Sequence, residues 1–305
     1  NKAFEAIGFK NVIQVRDFPG KDFNSEDLTV SCFRYIPTEE ANAAGRIWTD
    51  PRSGEIIQAD ILWYHNVVRL LQEWRFIQTA AADPSVRNKE LSEEVMGELI
   101  RYAVAHETGH ALGMKHNMRA SFAYPVDSLR SPSFTQKYGT TASIMDYARN
   151  NYVAQPGDGI ALEDLVPRLG EYDLFAIEWG YRYFPGLASE EIQEKLSVWI
   201  EKKQLERKYR FQDSGGNLPE AQAEDLGRYS LETAELGMCH LKRLLRDTLR
   251  NNGRLSVESW NLAIRKQYSE YINQAFTYLG GIRKCWGNDS VIVVAVGREE
   301  QQDAL

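Results

Sequence analysis

Apolar side chains along this chain recur at two spacings, every second residue in one early stretch and every third or fourth in most others. Ile57, Ala59, Ile61 and Trp63 alternate with more polar neighbours, as on a half-buried strand. Just upstream, Gly45 to Thr49 leads into Asp50-Pro51-Arg52-Ser53-Gly54, where Pro and Gly suit a tight reversal. The pattern predicts a hairpin whose second arm covers Glu55 to Tyr64. Asn11 to Val15 and Leu28 to Ile36 read as two further β-rich runs. Helical spacing appears in Asn1 to Ile7, where Ala3, Phe4 and Ile7 share a face, and in Val67 to Thr79. Val95, Leu99, Tyr102 and Ala103 form a core-facing stripe that predicts a helix from Ser92 to Met114. Asn117 to Thr141 reads as a loop region, and Tyr172 to Tyr183 as another helix.

After Pro185-Gly186 the pattern becomes mainly helical. Ser189, Glu190 and Glu191 make a good helix start. Apolar stripes follow at Ile192, Leu196 and Trp199, and at Leu241, Leu244, Leu245 and Leu249. Ser256 opens a third candidate helix carrying Trp260, Ile264, Tyr268, Tyr271, Ile272 and Phe276. Ser290 to Val296 reads as a short strand or as a piece cut off from its partners. No internal repeat stands out.

Composition narrows the function classes. The 305 residues fit one large domain or two modest ones. Net charge is −7 and no basic cluster stands out, which argues against a nucleic-acid partner. No apolar run approaches the length of a membrane span. The chain opens inside a helical pattern without a signal sequence, so it reads as part of a longer precursor that could carry a pro-region. Cys32, Cys239 and Cys285 lack metal-type spacing and read as three buried free thiols.

The candidate chemistry is concentrated in His106-Glu107-Thr108-Gly109-His110-Ala111-Leu112-Gly113-Met114-Lys115-His116. Three of the five histidines of the chain fall in this string. His106 and His110 are four apart, so a helix sets both rings on one face. Glu107 is rotated about 100° from His106 around the axis, badly placed to share a metal but able to reach a water beside it. Gly113 suits a helix end with φ > 0, after which the chain turns and His116 arrives as third ligand. Three neutral imidazoles with one position open are the pattern of catalytic rather than structural zinc. The mechanism expected is peptide hydrolysis by a metal-activated water, with Glu107 as general base. Gly109 inside the helix costs about 1 kcal/mol against Ala, which a close approach from a neighbouring segment would justify.

Downstream lies Ser143-Ile144-Met145-Asp146-Tyr147. With the long histidine motif this resembles the metzincin metallopeptidases and their methionine turn. The resemblance implies that Met145 forms an apolar floor beneath the zinc-bound rings without binding the metal. It also implies that Tyr147 can approach the zinc and stabilise the tetrahedral intermediate. Asn117, directly after the third histidine, departs from the astacin, serralysin, matrixin and adamalysin patterns. Together with Tyr172 to Tyr181, Asp225-Leu226-Gly227 and Gly237 to Leu245, it makes the chain look closer to the large bacterial Met-zincins.

That resemblance implies an α+β fold, with a zincin catalytic domain over 1–185 built from a twisted mixed sheet and an active-site helix. A mainly helical C-terminal region over 186–305 would pack on it. It also implies export to the periplasm, the cell surface or the medium. Metzincins bind an extended peptide along an edge strand, and Glu55 to Trp63 is the candidate edge. An endopeptidase is the leading reading. An exopeptidase and a zinc-stabilised, non-catalytic peptide-binding protein are the alternatives, and the intact Glu107 argues against the last. Asp158, Glu163 and Asp164 match no EF-hand spacing and read as a solvated acidic loop. His65 and His240 stand apart from the motif and read as structural, with a subsite role conceivable for His65.

Overall fold

The computed structural model describes residues 1–87, 91–213, 216, 218–250, 257–286 and 291–305, with the backbone alone for 247–250, 257–261 and 286. A short helix α1 (Lys2–Glu5) is followed by coil up to β1 (Phe33–Ile36). The hairpin of β2 (Ala43–Thr49) and β3 (Ile56–Tyr64) then leads into α2 (Val67–Thr79) and the long helix α3 (Glu93–Ala111). Two short helices, α4 (Val126–Leu129) and α5 (Pro132–Tyr138), precede α6 (Glu171–Tyr181) and α7 (Ser189–Gln204). The chain ends with α8 (Ser230–Arg250), α9 (Val257–Phe276), the hairpin β4 (Ile282–Trp286) and β5 (Val291–Ala295), and α10 (Arg298–Asp303). The fold is mixed α and β, with a small sheet and a mostly helical C-terminal part.

The local rules act where expected. Arg52 N–H donates to Asp50 Oδ1, and Gly54, at φ 76°, donates to the Asp50 carbonyl, which closes the β2–β3 turn. Ser92 caps α3 by accepting from Val95 N–H, and Glu93 and Glu94 sit in the first turn, where the helix dipole favours them. Phe4 of α1 packs edge-on against Tyr181 of α6, ring centres 5.0 Å apart.

The sheet order is β1-β3-β2, and it corrects the candidate substrate edge. Glu55 to Trp63 is not a free edge, because β3 is the central strand. It pairs parallel with β1 over Ile61–Tyr64 and antiparallel with β2 along its length. Its remaining flank is held by the segment before β1. Ser31 Oγ accepts from Ala59 N–H, the Cys32 carbonyl accepts from Ile61 N–H, and Asp60 accepts from Cys32 N–H. The simple alternation also breaks at the start of β3. Ile57 is exposed, while Gln58 is buried and donates to the Val30 carbonyl.

Other expectations shift in detail. Asn11 to Val15 is coil, and the Leu28 to Ile36 run is a strand only over its last four residues. Part of the expected loop region between Asn117 and Thr141 is helical. Cys32 is half-buried, Cys239 and Cys285 are exposed, and all three are free. Leu249, Ser256, Trp260 and Ser290, read as parts of apolar stripes or element ends, lie outside the described side chains.

One apolar cluster runs through the centre. Leu71 of α2, Leu99 and Tyr102 of α3, Ile144 and Met145 belong to it, and so do Leu241, Leu244, Ile264 and Tyr271 from α8 and α9. The C-terminal helices therefore share the core that supports α3. Among the described residues, no helix is long and apolar enough to cross a membrane.

Candidate active site

The three imidazoles converge. His106 and His110 project from the last turns of α3, their ring centres 4.9 Å apart. The helix stops at Leu112, and Gly113 adopts φ 82°. Met114 N–H donates back to the Gly109 carbonyl, so the reversal closes the open end of the helix. It returns His116 with its Nε2 3.0 Å from His110 Nε2. One ligand atom from each of the three rings lies within 4.8 Å of the other two.

The outer nitrogens fix the tautomers. His106 Nδ1 lies 2.8 Å from the Ile144 carbonyl and His110 Nδ1 lies 2.9 Å from the Met114 carbonyl. A carbonyl only accepts, so each Nδ1 carries the proton and each Nε2 presents a lone pair inward. Burial pushes His106 down to about 3 and His116 down to about 4. Neutral rings are what a metal needs. Tetrahedral zinc with nitrogen bonds of 2.0–2.1 Å separates its ligands by ~3.3 Å, close to the distance between His110 and His116. The donor set fits zinc.

Glu107 is buried beside them. Its Oε2 accepts from Gly45 N–H of β2 at 2.6 Å. Burial raises its carboxyl above the ordinary value, while the Gly45 hydrogen bond and the nearby His110 and Arg149 charges pull it back. Gly45 has to be glycine. A Cβ there would lie 2.7 Å from His110 Cβ and collide with the Glu107 carbonyl. A glycine inside a strand pattern signals such an approach, so the requirement was legible, although its partner was not.

Met145 is fully buried. Its sulfur lies where a Cβ on Gly109 would be. Met145 is thus wedged under the turn of α3 that carries His106 and His110, and the helical glycine is explained by a side chain rather than by a crossing backbone. The turn that carries Met145 is held by Asp173 at the start of α6. The Asp173 carboxylate accepts from Ser143 Oγ at 2.6 Å, Ile144 N–H at 2.8 Å and Gly170 N–H at 2.7 Å. The carbonyl of the same Ile144 orients His106, so Asp173 acts on the site through one intervening residue.

Asn117 ties the third ligand to the C-terminal part. Its N–H donates to the Met145 carbonyl, its Nδ2 donates to the Arg210 carbonyl, and its Oδ1 accepts from Gln212 N–H. Tyr147 packs its ring 4.5 Å from His116 and 5.5 Å from His106. The structure thus brings together every residue singled out for chemistry: His106, His110, His116, Glu107, Tyr147, Met145 and Gly113.

The sequence model of the Met-zincin family matches residues 88–305. The chain is a Met-zincin. The match begins ahead of α3 and carries through the C-terminal helices, which agrees with the core they share. Membership places this Met-zincin among the zinc-dependent metallopeptidases. No curated protein and no solved structure matches it.

The remaining candidates stay outside the site. Asp158 pairs with Arg130, and Asp164 with Arg168. His65 faces Tyr35 on the surface. His240 is buried and accepts from Ala81 N–H, and burial takes it down to about 3. Sequence reasoning missed Gly45 and Arg149, which both reach the site from segments outside the zinc motif.

Proposed function

We propose that this Met-zincin is an endopeptidase in which His106, His110 and His116 hold the zinc and Glu107 is the general base. Bound zinc supplies Lewis acidity that polarises the scissile carbonyl and brings a water toward a pKa of ~7. Glu107 takes the proton from the attacking water and returns it to the leaving amine. The Gly45 N–H holds Oε2, which fixes the carboxylate and leaves Oε1 to carry the proton. Tyr147, packed beside His116 and His106, offers its hydroxyl to the charge that develops on the carbonyl oxygen. The observation that carries this reading is the convergence of three imidazoles, two of them held neutral by burial, beside a buried carboxylate pinned by a strand N–H.

The strand that supports endopeptidase action is β2. Tyr64 N–H donates to the Asn42 carbonyl, so the antiparallel alternation turns Ala44, Arg46 and Trp48 toward β3 and leaves Ala43, Gly45 and Ile47 facing outward. Among the described residues no strand pairs with that side. An extended peptide adding to it would pass the carboxylate that Gly45 holds, with chain free to continue in both directions. Mass spectrometry of peptides blocked at both ends tests this: an endopeptidase yields internal fragments, and an exopeptidase leaves blocked peptides intact. By family resemblance we place the enzyme outside the cytoplasm, and fractionation of the producing cells tests this.

A further inference from the structure

Beside Glu107 and His106 the protein holds a cavity of about 100 Å³. Leu70, Leu71 and Trp74 of α2 make one wall, and Tyr102, Tyr147 and Arg149 contribute to the rest. Apart from Asn42, His106 and Glu107 the lining is aromatic and aliphatic, and Arg149 is the one guanidinium set in it, a placement that packing alone would not select. Four contacts fix it. The guanidinium carbon lies 3.8 Å from the Trp74 ring centre and 4.3 Å from that of Tyr147. Its Nε donates to Glu224 Oε1 at 3.2 Å, and Tyr102 hydrogen-bonds to it. The Arg149 backbone is in the left-handed region at φ 56°, uncommon for a residue with a side chain. The guanidinium is thus sandwiched, and Glu224 occupies only one of its edges.

A guanidinium has five N–H donors. Glu224 and Tyr102 are the hydrogen-bonding partners found for Arg149 among the described residues, so donors remain for the cavity. An aliphatic substrate side chain would fill the walls but strip water from those donors without replacing it. A lysine would bring a second cation into the same space. A carboxylate answers both, because it accepts from the fork in charge-assisted geometry while its methylenes lie on the apolar wall. It would also sit close to Glu107, and Arg149 offsets the repulsion between the two anions.

We propose that Arg149 is a specificity residue and that this cavity is a subsite for a substrate carboxylate next to the scissile bond. The inference rests on the peptidase reading. The carboxylate is an acidic side chain flanking the cleaved bond or the C-terminal carboxylate of a short product-side segment. The two sources share one chemistry and differ in whether amidating the peptide terminus matters.

The test is calorimetry on zinc-loaded Glu107→Gln protein, using a neutral peptide scaffold along which one Glu is walked, with Gln and Leu at the same positions as controls. Each peptide is made with a free and an amidated C-terminus. At one position Glu is expected to bind about tenfold more tightly than Gln, and Arg149→Gln is expected to abolish the difference. If the advantage instead follows the free terminus and is lost on amidation, the terminal carboxylate is the ligand, provided Arg149→Gln again removes it. The double variant Arg149→Gln/Glu224→Gln removes both charges of the pair and guards against a misfolded single variant. Equal binding of all peptides, no binding, or a discrimination that survives both variants would overturn the proposal. Cleavage by the wild-type protein distinguishes the two levels. Chelator-sensitive hydrolysis without carboxylate preference leaves the peptidase reading standing, and no hydrolysis of any peptide removes that reading as well.

Discussion

The backbone N–H of Gly45 donates to the carboxylate of Glu107 at 2.6 Å, across 62 positions of sequence. This bond joins the outer strand of the sheet to the base on α3, so strand position and carboxylate orientation are one variable. Gly45→Ala adds a methyl that meets the α3 backbone and His110, and the strand can only move outward. Overpacking of this kind costs about 1–3 kcal/mol. Denaturant titration is expected to show that loss, together with a fall in kcat, because the carboxylate loses its anchor. An Ala variant with unchanged stability and turnover would show that β2 does not hold Glu107.

Gly109 offers a test in which the sign is informative. In an exposed helix, Gly→Ala stabilises by about 1 kcal/mol. Here the added Cβ collides with the Met145 sulfur, in a core where Met145 is fully buried. Gly109→Ala is therefore expected to destabilise, and Met145→Ala in the same chain to recover part of the loss. Stabilisation by the single variant would place Met145 elsewhere.

Much of the site was legible because its signals are local. Two imidazoles four apart, a glycine three later and a third imidazole three beyond that lie in one short string, and the structure assembles them as the spacing predicts. The helix Val67–Thr79 was readable for the same reason, since its apolar spacing is self-contained. The sheet order was not. Whether β3 is an edge or a centre depends on β1 and on the hydrogen bonds of Ser31 and Cys32, nearly thirty residues away. Asp173 was visible as part of a helix, but its two bonds to the methionine turn come from the packing of α6. Arg149 lay just beyond the Ser143 to Tyr147 string and carries no motif; only the cavity beside Glu107 marks it.

A pair of buried carboxyls behind the site sets a pH dependence. Asp225 is fully buried and is pushed up to about 7 by burial, against hydrogen bonds from Ser121 and Ser230. Asp146 is also buried, and it is raised well above the ordinary value first by burial and then by the Asp225 charge. The unfolded chain releases such a proton near pH ~4, whereas the folded state holds it until about 7. The stabilisation is therefore complete below pH ~4 and is lost as pH rises through about 7. Asp225→Asn stays neutral throughout. The stability of wild type relative to this variant is expected to fall between pH ~4 and ~7, by up to ~1.4 kcal/mol per pH unit, and to level off above that. Melting curves recorded without metal at several pH values check it, and parallel pH profiles for the two proteins would contradict it.

Tyr147 can be separated from the metal ligands. Tyr147→Phe keeps the ring against His116 and removes only the hydroxyl. Loss of one donor to a developing oxyanion typically costs 10²–10³ in rate. The expected result is a fall of about 10² in kcat with KM and zinc content little changed. A fall in zinc content instead would make Tyr147 a support for the metal rather than a partner of the substrate.

Zinc content measured together with hydrolysis of a quenched-peptide library, for wild type and for Glu107→Gln, tests whether this Met-zincin cleaves through Glu107. Both proteins are expected to bind one equivalent of zinc. Wild type cleaves in a chelator-sensitive way, and the variant loses at least about 10²-fold in turnover. Turnover in the variant equal to wild type, or wild-type protein that binds zinc and cleaves nothing, would contradict this mechanism.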